Sequence, residues 1–167
     1  MLTDLQLLQI KNSILRILHI PGNYTGGILE MAVVADYHMP CGELREECRQ
    51  IAGMLKRQDE FFRNVRLNLL EWISDEIIIK EVTPMPYLQM GRVFQDYGQR
   101  EADDAKTLDE LCRQLKLFYA RSKVILLLTD GSYRIGKQET LADYLQPFLG
   151  RKLLLIENGR IERINAV

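Results

Sequence analysis

Val124-Ile125-Leu126-Leu127-Leu128 is an unbroken apolar run that stops at Thr129-Asp130-Gly131. A strand with one wet face alternates apolar and polar residues, and this run does not alternate. It needs cover on both faces, which predicts a central strand of a parallel sheet. A second run, Ile28 to Ala35, ends the same way at Asp36. Two strands would then deliver a carboxylate each to the C-terminal edge, where open α/β sheets bind their ligands.

The remaining segments follow from periodicity. Leu7, Ile10, Ile14, Ile17 and Leu18 recur at helical spacing behind a Thr3 cap, and Pro21-Gly22-Asn23 stops that helix. Leu44, Cys48, Ile51, Ala52 and Leu55 mark the inner face of a helix over 41–61. Two strand-like runs, Val65–Ile73 and Ile77–Val82, are separated only by Ser74, Asp75 and Glu76, so they form an antiparallel hairpin. The stretch 83–106 has no sustained period, and a connection that long is functional or mobile. A helix is expected from Thr107 to Arg121, the Thr-Asp-Gly strand next, and a helix over 137–149. Lys152–Glu157 reads as a buried strand that Asn158-Gly159 turns back into Arg160–Ile164. This order predicts an α/β fold: a three-layer α/β/α sandwich around a doubly wound, Rossmann-like, mostly parallel sheet. It has one antiparallel edge hairpin strand and an extra N-terminal helix. One domain spanning 1–167 is expected, with 1–22 as helical extension and 28–157 as core.

Composition narrows the function classes. The 167 residues are 47% hydrophobic with a net charge of −1, enough for one substantial core. The charge gives no general attraction to nucleic acid or anionic lipid. No apolar run approaches the roughly 20 residues of a membrane span, and polar residues interrupt the N-terminus where a signal peptide would be apolar. Cys41, Cys48 and Cys112 show no CxxC spacing and read as reduced thiols of a cytoplasmic protein.

Three segments carry a resemblance: Asp36-Tyr37-His38-Met39-Pro40, Lys106-Thr107-Leu108-Asp109-Glu110-Leu111 and Leu128-Thr129-Asp130-Gly131. Their order and spacing over 28–157 resemble the von Willebrand factor type A domain. That family has a doubly wound sheet with one antiparallel edge strand, and often a metal-ion-dependent adhesion site. The family site joins Asp-x-Ser-x-Ser after the first strand, a Thr from a Gly-Gly-Thr-x-Leu segment opening a later helix, and an Asp after the fourth strand. The resemblance implies a degenerate site of Asp36, His38, Thr107 and Asp130, holding no cofactor or a weakly bound divalent cation such as Mg²⁺. His38 and Pro40 stand where the family has serines. Proline has no side-chain oxygen, and imidazole suits Zn²⁺ better than the roughly six oxygens that Mg²⁺ requires.

Each residue also has a structural reading. Asp36 and Asp130 are natural turn acids, and His38 reads as a surface or turn histidine more readily than as a ligand. Thr107-Leu108-Asp109-Glu110 is a capping box. Gly131 to Lys137 matches the spacing G-x-x-x-x-G-K between a strand and a helix, but Gln138 stands where a hydroxyl should hold Mg²⁺. Nothing else in the chain resembles a catalytic constellation.

The resemblance implies a non-catalytic protein-interaction module with a partly lost metal site. Its partner would be a protein or a second copy of the chain, with no nucleic acid and no membrane. The docking edge would comprise Tyr37, Met39 and Tyr133 together with Tyr87, Met90, Phe94 and Tyr97 of the long connection, aromatic and methionine side chains of the kind interfaces favour. The other reading of the 83–106 connection is a short helix or lid packed on the domain's own core. The alternative is a small metal-dependent hydrolase or nuclease with Asp36, Asp104 and Asp130 as ligands. A third reading makes the first helix the contact element of an assembly, removable without unfolding the sheet.

Overall fold

The computed structural model of the chain describes residues 1–57, 65–76, 78–80, 102–145 and 152–162. In chain order the elements are α1 (Asp4–Leu18), β1 (Leu29–Asp36), α2 (Cys41–Arg57), β2 (Val65–Trp72), β3 (Ile78–Lys80), α3 (Leu108–Phe118), β4 (Val124–Thr129), α4 (Gln138–Leu145), β5 (Leu153–Glu157) and β6 (Arg160–Glu162). Tyr87, Met90, Phe94 and Tyr97 lie outside the described residues. So do the expected helix ends at 58–61 and 146–149, and the last residues of the 160–164 strand.

The strands form one sheet in the order β3-β2-β1-β4-β5-β6. β1 runs parallel to β2 on one side and to β4 on the other, with Ala35 beside Leu128. β4 and β5 are also parallel. Antiparallel strands lie at both ends of the order: β3 beside β2, and β6 beside β5. The turn into β6 is Asn158-Gly159, with φ of 50° and 82°, the left-handed pair that a two-residue hairpin requires.

The apolar runs are continuous because each strand feeds two cores. Met31, Val33, Ala35, Val124, Leu126 and Leu128 point to one face and pack with α1 and α2. Ala32, Val34, Ile125 and Leu127 point to the other and pack with α3 and α4. Each fully buried aliphatic side chain contributes about 1.5–3 kcal/mol, so β1 and β4 are held from both sides.

α1 belongs to the core. Ile10, Ile14, Ile17 and Leu18 are buried in it, and Thr3 with Gln6 closes a reciprocal capping box at 2.9 and 3.1 Å. These four core side chains would leave their face of the sheet uncovered were α1 removed. Leu5 and Leu8 remain exposed on its outer side. α3 stops at Phe118, short of Arg121. Tyr119 caps it, the Ser122 N–H bonds to the Tyr119 carbonyl, and the Lys123 N–H bonds to Glu30 O, which swings the chain into β4. Among the described residues, no helix is long and apolar enough to cross a membrane.

Candidate functional site

The strand order reverses between β1 and β4, the crevice where doubly wound sheets bind ligands. Asp36 ends β1 there, Thr129 ends β4, and Trp72 ends β2 beside Asp36. Asp36 is fully buried. Its Oδ1 accepts the His38 N–H at 3.0 Å, an Asx turn that opens the link to α2. Its Oδ2 accepts the Thr129 hydroxyl at 2.6 Å.

The remaining partner of Asp36 is Lys106. Its ammonium bonds Asp36 Oδ1, donates to the Trp72 carbonyl at 3.0 Å and sits 4.1 Å from the centre of the Trp72 ring. Lys106 is completely buried. The main chain delivers it there. The Asp103 N–H bonds to Ile73 O just past β2, the Lys106 N–H to Asp103 O, and the Arg134 N–H to Lys106 O. Burial pulls the ammonium below the ordinary lysine value, and Asp36 is the strongest group opposing that.

The residues expected to share a metal are only partly assembled. Asp36 and His38 are neighbours, with His38 Nδ1 3.5 Å from Asp36 Oδ1 and His38 Nε2 3.0 Å from Asp104 Oδ1. Thr107 faces Asp75 instead: its N–H bonds to Asp75 Oδ1 at 2.6 Å, and its hydroxyl lies 3.3 Å from both carboxylate oxygens. The capping box read there is half formed. The Thr107 hydroxyl accepts from the Glu110 N–H, but the Glu110 carboxylate is claimed by Arg113 and Gln114. Asp130 turns into its own loop, where Oδ1 accepts the Ser132 N–H at 2.9 Å and the Ser132 hydroxyl at 2.5 Å.

This donor set does not fit a hard divalent ion. Such an ion wants about six oxygens at 2.0–2.6 Å, whereas the Asp36 carboxylate is saturated by Lys106, Thr129 and His38. A dication about 4 Å from the ammonium would be opposed by about 8 kcal/mol, taking about 4 kcal/mol per pair of unit charges at an effective dielectric near 20. Among the described residues, no three His, Cys, Asp or Glu side chains are grouped to hold a metal.

The glycine-rich turn after β4 is likewise committed to its own chain. The Gly131 N–H bonds to the Thr129 hydroxyl, and the Gly136 and Lys137 N–H groups bond to Asp109 at 2.8 and 3.4 Å. Amides that would cradle a phosphate in a nucleotide-binding loop here bond the Thr129 hydroxyl and the Asp109 carboxylate.

Of the expected docking residues, Tyr37 and Met39 are buried in the core, 6% and 1% exposed. They are corrected from surface to core, because the Asx turn at Asp36 folds the β1–α2 link down between the layers. Tyr133 is half-buried, its ring 5.9 Å from that of Trp72. Sequence reasoning missed Lys106, Thr129, Trp72 and Asp75. One signal for Lys106 was present: it adjoins Thr107 in one of the three segments singled out from the sequence. No protein-family model matches the chain, and no curated protein matches it in sequence.

Proposed function

We propose that the chain is a divergent type A domain acting as a non-catalytic protein-interaction module, with the rim at the C-terminal ends of β1 and β4 as its working edge. One observation carries this reading: the rim's carboxylates are bonded within the chain, while His38 Nδ1 and Trp72 Nε1 are buried there without a hydrogen-bond partner. Asp36 is bonded to Lys106 and Thr129, Thr107 to Asp75, Asp130 to Ser132, and Asp109 to the amides of Gly136 and Lys137. Groups committed in this way hold loops in fixed positions, as a docking platform needs. Acid–base or metal-assisted chemistry needs groups free to face a substrate.

The type A assignment draws support from chain order. Asp36 ends β1, Thr107 opens α3, the first described helix after the antiparallel β3, and Asp130 follows β4. The free, buried thiols of Cys48 and Cys112 suit the reducing cytoplasm. The partner is a protein or a second copy of this chain, meeting Tyr133, Arg134 and Lys137.

Photo-crosslinking tests the reading. A photoreactive residue at Ser132 or Lys137 should give adducts with one protein species, unchanged by a chelator, and one at Arg49 on α2 should give none. The same preparation should not turn over a phosphomonoester or phosphodiester model substrate with Mg²⁺ or Mn²⁺. Turnover abolished by Asp36→Asn would overturn the module and establish a hydrolase.

A further inference from the structure

We propose that the ammonium of Lys106 is the resident cation of this rim: the chain supplies from its own side chain the positive charge that the adhesion-site resemblance assigns to a divalent ion. The rim is then closed without metal. Lys106 serves the same rim that we read as the working edge, but its test needs no partner, so a failed docking experiment and a failed metal experiment are told apart.

The ammonium joins the strand ends itself. It bonds the carboxylate that ends β1 and the carbonyl that ends β2, and Asp36 carries the link to β4 through Thr129. One positive charge thus ties three strand ends to the segment entering α3. The position is set by the main chain, since the Asp103 and Arg134 bonds hold the Lys106 backbone from both sides. A surface lysine that folded inward by chance would show neither the complete burial nor this anchoring. The substitution is also intelligible as chemistry. Glycines before the threonine would leave the crevice open to a solvent ion, whereas a lysine four methylenes long reaches Asp36 and fills it. The ammonium has only three protons to share, so the remaining oxygens of an octahedral shell are not needed. Thr107 bonds Asp75 and Asp130 bonds Ser132, while Asp130 and Asp103 also favour the charged ammonium at longer range.

Thermal melting of the full chain with and without Mg²⁺, Mn²⁺ or a chelator tests this. The wild type should melt at the same temperature in all conditions. Lys106→Ala should melt lower and regain several degrees with rising Mn²⁺ or methylammonium, as binding to the folded state alone requires. Asp36→Asn in that background should abolish the recovery. A wild-type shift with Mg²⁺ or Mn²⁺ that Asp36→Asn removes would overturn the proposal, because a metal would then share or take the place of the ammonium. No response of Lys106→Ala to either cation would also overturn it, leaving an ordinary ion pair. Should Lys106→Ala fail to fold alone, refolding with and without these cations decides the matter in the same way: recovery supports the resident cation, and none overturns it.

Discussion

Replacing Lys106 with Met removes the ammonium but keeps most of the side-chain volume. The Asp36 carboxylate then stays fully buried with only the His38 N–H and the Thr129 hydroxyl as donors. Breaking a buried pair from one side costs about 3–5 kcal/mol, because the remaining charge is uncompensated. For a domain of this size each kcal/mol lowers Tm by about 2–4 °C, so the loss is about 6–20 °C. Asp36→Asn strands the ammonium instead and should cost a similar amount. The double variant buries neither charge and should approach wild-type stability, giving a coupling energy of at least about 2 kcal/mol. Trp72 is the only tryptophan in the chain and lies under the ammonium. Urea unfolding followed by its fluorescence, with far-UV circular dichroism beside it, therefore reports on the rim and the whole fold together. A Lys106→Met cost below about 1 kcal/mol, or single costs that simply add in the double variant, would refute the reasoning.

Three other perturbations test separate parts of the fold. Glu47 is buried in α2, and its carboxyl is pushed up to about 7 by burial first and by Glu43 second. The folded chain therefore binds more protons than the unfolded between pH 4.5 and about 7, and stability falls as pH rises through that window. Glu47→Gln should flatten the profile and stabilise by about 1–3 kcal/mol at pH 8, read from urea midpoints at pH 5 and pH 8. Ile14→Ala should cost about 2–5 kcal/mol by opening a cavity between α1 and the sheet, and a melt lowered by less than about 2 °C would make α1 peripheral. Gly159→Ala places a Cβ at a φ of 82° and 2.9 Å from Leu2 and Gln6 side-chain atoms. It should destabilise by about 1–2 kcal/mol and loosen the α1 cap, visible as faster amide exchange in the first turn of α1.

The architecture was legible wherever burial on two faces writes itself into composition. Val124–Leu128 and Ile28–Ala35 had to be central and parallel, Ser74–Glu76 was too short for anything but a hairpin, and Asn158-Gly159 carries the φ values its turn needs. The rim was legible only as far as main-chain order reaches. Asp36 and Asp130 were expected at one edge because parallel strands end together, and both do follow β1 and β4. What the Asp36 carboxylate bonds to depends on side-chain reach from segments far away in the chain, Lys106 lying 70 residues and Thr129 93 residues beyond it, whereas Asp130 bonds its near neighbour Ser132. Periodicity carries no information about such pairs. The exposure of Tyr37 and Met39 was misjudged for a related reason, since a loop's composition does not tell whether an Asx turn folds it inward. A charged residue beside a capping threonine ordinarily reads as solvated. The residue that mattered is Lys106, completely buried beside Asp36 at the crevice where the strand order reverses, a placement that main-chain order and periodicity do not reveal.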